Sequence, residues 1–275
     1  MTTYIAAYDT EAEGCLDALR KILPLHERFD IPATLFIVAR LLDEQGDAYR
    51  ELLADHPQVE IACHSYTHML LRDHPVCGTA GPPEQYEREI IDSKRRLEDH
   101  FGRPVVGFRA PVSFDDGLRG APDLVGLCDR AGYGYTSALA WGPGCTLPAL
   151  IADPFTYAEQ GAPDLWEVPP CGWHDNVLKE GNSSLDPLDL QADPNPYPET
   201  TVTGYVATPE EEAGLDRKFI DRAVEAGAPH VSLIWHPWSL GRFDPEMRML
   251  ELTFQHVRDR GLPASTFAAY VETLQ

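Results

Sequence analysis

The sequence predicts an α/β domain, on three observations. Apolar runs of strand length alternate with segments of helical apolar spacing. The 275 residues suit one large domain of that class. Four of the apolar runs end in side chains that carry chemistry: Asp9 and Glu11, His64 and His68, Arg109, and His236. The C-terminal ends of strands are where α/β folds gather their active groups.

Tyr4 to Tyr8 reads as the first strand, and Asp9 and Glu11, two residues apart, emerge together from one face at its end. Cys15 to Phe29 has helical spacing through Leu16, Leu19, Ile22 and Leu23, with Pro24 expected to kink or split it. Ala33 to Val38 is a second strand. Pro57 to Ala62 is a third, giving way to a loop or helix at His64. Between Pro83 and Gly102 a charged helix turns Tyr86, Ile90, Ile91 and Leu97 to one side, and Gly102 suits its end. Val105 to Pro111 reads as a strand that delivers Arg109 at its C-terminal end, Leu124 to Ala131 as a helix and Gly134 to Ser137 as a short strand. Thr208 caps a helix over Pro209 to Ala226 that opens with three glutamates. His230 to His236 is a further buried strand with Pro237 next, and Met247–Arg260 and Ser265–Leu274 are the closing helices.

Two stretches lack periodicity: Cys77 to Pro83, close to the histidine pair, and about 170–203, rich in Pro, Asp, Asn and Ser. Compact domains rarely carry so long a loop without a use. The longer stretch, led by Trp173 and His174, is expected to wall the site; an aromatic ring there could stack on a sugar or anchor the loop. No repeat or linker divides the chain, so residues 1–275 read as one catalytic domain with an irregular insertion.

His64 and His68 lie four residues apart, so in one helical turn they share a side and can grip one divalent metal. An oxygen as third ligand would leave positions open for water and substrate. In a chain with ten histidines that spacing alone is weak, and a surface or capping pair looks the same. Asp9 and Glu11 could simply precede a helix N-terminus, Arg109 could serve a structural ion pair, and His236 could be a satisfied core residue. Together these ordinary readings must explain polar groups at four strand ends.

Asp9-Thr10-Glu11, the run from His64 to His68, Gly107-Phe108-Arg109-Ala110-Pro111 and Ile234-Trp235-His236-Pro237 resemble, in order and spacing, the motifs of the polysaccharide deacetylases, also called the NodB-homology or carbohydrate esterase four family. The resemblance spans about Tyr4 to Trp238. It implies a distorted (β/α)7-type barrel and metal-dependent removal of an acetyl group from an amino sugar. It gives His64 and His68 to the metal, His236 to the catalytic acid, and Arg109 to holding the catalytic carboxylate. By register Asp9 matches the base and Glu11 is left as the carboxylate ligand, with exchange of the two roles open. Thr10 stands where the family has a second aspartate, and Val112 where it has an aromatic residue. For the usual aspartate-tryptophan motif, Trp166-Glu167 stands in, with Glu167 as acid partner of Arg109. Trp173, His174 and Glu167 are the candidate substrate contacts. The residue types suit amide hydrolysis: Lewis acidity from one divalent ion, a carboxylate base kept ionised by arginine, and a histidine to protonate the departing amine. Zinc fits two histidines and a carboxylate; cobalt, nickel or manganese fit nearly as well.

A formal charge of −22 argues against nucleic acid or anionic membrane as partner and suits a solvated acidic surface. The N-terminus enters a strand at once, without a leader pattern, and no apolar run is long enough to span a bilayer. Six cysteines without close pairing motifs suit a reduced compartment, and Cys63 reads as a small buried filler. The expectation is a cytoplasmic enzyme acting on a small or oligosaccharide N-acetylated substrate, with homo-oligomer formation left open. Two other readings stand beside it: an amidohydrolase on a non-sugar or cyclic amide, as in allantoinase-like relatives of the fold, and an inactive carbohydrate-binding barrel.

Overall fold

Tyr4 to Tyr8 are all fully buried, because β1 (Thr3–Thr10) is covered on both faces. The computed structural model describes residues 1–275. After β1 come α1 (Cys15–Phe29), β2 (Ala33–Ile37), α2 (Leu42–Ala54), β3 (Val59–Cys63), α3 (Ser93–Phe101), β4 (Gly107–Phe108), α4 (Pro122–Ala131) and β5 (Tyr135–Thr136). Next are β6 (Phe155–Tyr157), β7 (Ala162–Glu167), α5 (Pro187–Leu190), α6 (Pro209–Ala226) and β8 (His230–Ser232). The chain closes with α7 (Pro237–Phe243), α8 (Arg248–Asp259), β9 (Ala264–Ser265) and α9 (Phe267–Glu272).

The strands run in the order β6-β7-β5-β4-β3-β2-β1-β8, all parallel except the β6–β7 pair, with β9 added beside β1. Beyond β7 the chain bends back onto β8: Cys171 N–H donates to the Ser232 carbonyl and His174 bridges Ile234. That contact closes the sheet into a distorted barrel of seven parallel strands, with β6 and β9 as appendages. One α/β domain results.

The alternation along β1 sorts its side chains between two cores. Tyr4, Ala6 and Tyr8 pack outward beneath the helices; Ile5 and Ala7 pack inward with Phe36, Ala62, Tyr135 and Val168, plugged by Phe267, Tyr270 and Val271 of α9. Asp9 continues the inward row, so the register delivers its carboxylate to the mouth of the barrel.

The expected elements are found with small shifts. Pro24 does not split α1, which runs unbroken from Cys15 to Phe29 with its apolar face on the core. The helix expected from Pro83 begins as a single 3-10 turn, passes through a π turn at Arg88–Asp92 and becomes regular in α3, ending at Gly102 with φ +63°. The π turn shifts the register, so Ile90 and Leu97 are fully buried while Tyr86 and Ile91 are only partly so. Thr208 caps α6 by accepting from Glu211 N–H, and Glu211 reaches back to accept from Ala207 N–H. No helix is long and apolar enough to cross a membrane.

Candidate metal centre

His64 leaves β3 pointing into the barrel mouth. Its Nδ1 donates to the Arg109 carbonyl at 2.9 Å, which fixes the tautomer and leaves the Nε2 lone pair facing inward. His68 does not follow on a helical turn. The segment is a tight loop in which Ser65 and His68 take left-handed φ values of +68° and +65°. Ser65 Oγ accepts from His68 N–H, and the buried Glu89 carboxylate accepts from Tyr66 N–H, Thr67 N–H and the Thr67 hydroxyl. Those bonds bring two residues four apart to one point without a helix.

His68 Nε2 lies 2.8 Å from Glu11 Oε2, out of line for a hydrogen bond, and His64 Nε2 lies 3.7 Å from the same oxygen. The ligand atoms of Glu11, His64 and His68 all fall within 4.8 Å of one another. Two imidazole nitrogens and one carboxylate oxygen converging, with a buried nitrogen lacking any hydrogen-bond partner, fit a divalent cation of the zinc type with open positions. Cys63 is turned away and bonds Ser93 Oγ.

Asp9 sits beside this set. Its Oδ1 accepts from Arg109 at 2.7 Å, while Oδ2 is 3.9 Å from both His64 Nε2 and His236 Nε2. Burial works to raise its pKa, but the charges of Arg109, His64 and His236 outweigh burial and hold it below the ordinary value. Burial likewise opposes ionisation of Glu11, and the three histidines hold it well below the usual range. Arg109 is itself fully buried, bonded to Ser137 Oγ and stacked 4.1 Å over the Phe36 ring.

His236 follows the extended segment after β8 and stands at the N-cap position of α7, its ring making no capping bond. Asp175 holds it twice: one oxygen accepts from His236 N–H at 2.9 Å and pairs with Nδ1 at 2.6 Å. Burial disfavours the charged ring, yet Glu11, Asp175 and Asp9 raise its pKa to about 9. Asp175 is the site residue that the sequence reading missed. It lies in the aperiodic stretch next to His174, and its one signal is a carboxylate beside two candidate site residues.

Other expectations need correction. Glu167 does not meet Arg109. It accepts from the N–H groups of Ala138 and Leu139, from Thr136 Oγ1 and from Tyr157 OH at 2.7 Å, so all its acceptor capacity serves the β5–β7 corner. Trp173 is buried, and its indole donates to the Thr200 carbonyl; it anchors the long loop and does not face the site. His174 does line the cavity, with Nε2 2.8 Å from the Ala140 carbonyl and a pKa lowered to about 4 by burial. The aromatic wall comes from Trp141, which stacks near His174 and donates to the Val112 carbonyl, covering the position where Val112 offers no ring.

The cavity is small, about 100 Å³, and open to solvent on one side. The 170–203 stretch gives it His174, Asn176, Val177 and Leu185, and the shorter loop gives it Cys77.

Behind His236 lies a buried charge cluster. Lys179 is fully buried, 2.6 Å from Asp175 Oδ2 and 2.8 Å from Glu212 Oε1. One ammonium cannot neutralise every carboxyl there. Burial, with repulsion from Glu212, raises the Asp216 pKa well above the ordinary value, and its carboxyl is bonded only by Thr253. Unfolded, Asp216 ionises near pH ~4; folded, it keeps its proton above that. Its stabilising contribution is therefore complete below about pH 4 and falls by about 1.4 kcal/mol per unit as pH rises towards the folded pKa. Asp216→Asn should remove this slope, so that its urea midpoint gains on the parent's as pH rises into the neutral range. A constant difference between the two chains across that range contradicts the assignment.

The family comparison agrees with this geometry. Residues 8–120 match the polysaccharide deacetylase family model. Solved structures share its fold across almost the whole length. A probable polysaccharide deacetylase from Pseudomonas aeruginosa is 17% identical with a TM-score of 0.62, covering 98% of this chain and 89% of that one. The Puue allantoinase is 15% identical with a TM-score of 0.65, covering 98% and 88%. A family pseudoenzyme from Bacillus anthracis is 13% identical with a TM-score of 0.57, covering 98% and 66%. No curated protein matches the sequence. The model match takes in Asp9, Glu11, the histidine pair and Arg109, while Asp175, His236 and the roofing loop lie beyond it.

Proposed function

We propose that this chain is a metal-dependent hydrolase that removes an N-acetyl group from a small amino-sugar or related carbohydrate intermediate, as one cytoplasmic catalytic domain. The observation that carries the reading is the convergence of Glu11, His64 and His68, with Asp9 and His236 poised beside them. Glu11, His64 and His68 would hold the ion, zinc being the best fit to such donors. When bound, such an ion supplies Lewis-acid polarisation of an amide carbonyl and acidifies water. Asp9, held ionised and oriented by Arg109, takes the proton from the attacking water. His236 enters protonated and gives its proton to the amine nitrogen as the C–N bond breaks, releasing acetate and the free amine. Its Nδ1 is occupied by Asp175, so Nε2 faces the reaction.

The small volume of the cavity, about 100 Å³, supports a second reading on the same residues: hydrolysis of a small non-sugar or cyclic amide. An intact base, acid and donor set speak against an inactive barrel.

Elemental mass spectrometry of the untagged chain tests the reading, beside a His64→Ala/His68→Ala variant. Near one equivalent of metal in the parent, almost none in the variant, and acetate release from N-acetylated sugars in the parent alone are expected. Ring-opening of cyclic ureides without acetate release would move the substrate to the second reading. Negligible metal in both chains after reconstitution would end the metallohydrolase proposal.

A further inference from the structure

Trp238 stands in the first turn of α7, two residues after His236, half-buried at the rim of the metal centre. Its indole Nε1–H donates to Glu11 Oε1 at 2.9 Å, across 227 residues of sequence. The other oxygen of that carboxylate, Oε2, is the one that meets His68 and faces His64. The two oxygens of Glu11 are thus divided between an outer donor and the inner donor set. Neither the motif match nor the proposed chemistry uses Trp238.

We infer that Trp238 is a positioning residue for the metal centre: its N–H holds Glu11 so that a single oxygen, Oε2, is offered to the cation beside His64 and His68. The inference rests on the metal reading above. A glutamate side chain has several rotatable bonds, and without an outer partner the carboxylate can turn, swing towards solvent or present both oxygens. His64 has the same kind of support from the Arg109 carbonyl. Glu11, on the loop just past β1, has no other side-chain donor outside the histidines. Fixing an outer partner in advance lowers the ordering cost of ligation, and losing one typically weakens metal binding about 10- to 100-fold.

The rival role for Trp238 is packing, since its ring lies 6.1 Å from that of His236 and walls a cleft with Glu13, Arg40 and Asp43. Trp238→Phe separates the two, because it keeps a ring and loses the N–H. The measurement is the zinc dissociation constant by competition with a chromogenic chelator, on zinc alone without substrate. Trp238→Phe should weaken binding about 10- to 100-fold, with the apo near-ultraviolet spectrum and melting point close to the parent's. Equal zinc affinity in the two folded chains overturns the inference while leaving the metal reading intact. A parent that binds no zinc overturns both. A second measurement needs no variant: among the five tryptophan indole N–H resonances, that of Trp238 should move most on zinc addition. An unmoved Trp238 resonance with zinc bound also overturns it.

Discussion

His236→Ala is expected to lower kcat by roughly 100- to 10,000-fold while the chain keeps its metal. The ring is outside the donor set, yet its Nε2 lies 3.9 Å from both Asp9 Oδ2 and Glu11 Oε1. It therefore borders the place where a scissile amide would sit. Asp175 fixes the ring through Nδ1 and the backbone N–H of the same residue, so little orientational freedom remains to be lost when substrate arrives. In the alanine variant Asp175 keeps its bond to Lys179 and to the backbone N–H of residue 236, so no buried charge is stranded. Metal content by elemental analysis and single-turnover kinetics check the two halves separately. Retained turnover would take His236 out of the reaction, whereas joint loss of metal and turnover would make it a ligand.

The polar groups at strand ends were legible in the sequence because β-strands place side chains by parity and end at predictable punctuation. Asp9 continues the inward row of Ile5 and Ala7, and Arg109 and His236 each close an apolar run. Contacts made across the barrel were not legible. Asp175, Lys179 and Glu212 meet only because the aperiodic stretch is pressed against α6 and α7, and nothing local marks that pairing. Trp238 reaches Glu11 because β8 lies beside β1, a pairing that no local signal marks. Glu167 misled because a buried acid near a buried arginine is the simplest pairing, but here backbone N–H groups satisfy the acid, and the arginine goes to Asp9 and Ser137. The histidine pair was found by its helical spacing, although left-handed turns at Ser65 and His68, not a helix, bring the rings together.

Asp9 and Glu11 are two acids whose order of roles the sequence left open, and paired amide variants separate them. Asp9→Asn is expected to keep zinc and lose turnover by roughly 100- to 10,000-fold, as removal of a general base does. Glu11→Gln is expected to release zinc, and turnover with it. The reason lies in how each carboxylate is already engaged. Asp9 has one oxygen committed to Arg109 at 2.7 Å, and its free oxygen stands 3.9 Å from the nearest histidine nitrogen. Glu11 brings its free oxygen to 2.8 Å from His68 and joins both histidines within one donor set. An arginine-bound carboxylate is also the poorer ligand, because its charge is already shared, and the better base to orient, because its direction is fixed. Arg109 is buried, so Asp9→Asn weakens its one ion pair, and urea denaturation should accompany the kinetics to separate lost chemistry from lost fold. Zinc lost from Asp9→Asn but retained by Glu11→Gln would reverse the two roles, and the indole of Trp238 would then be holding the base.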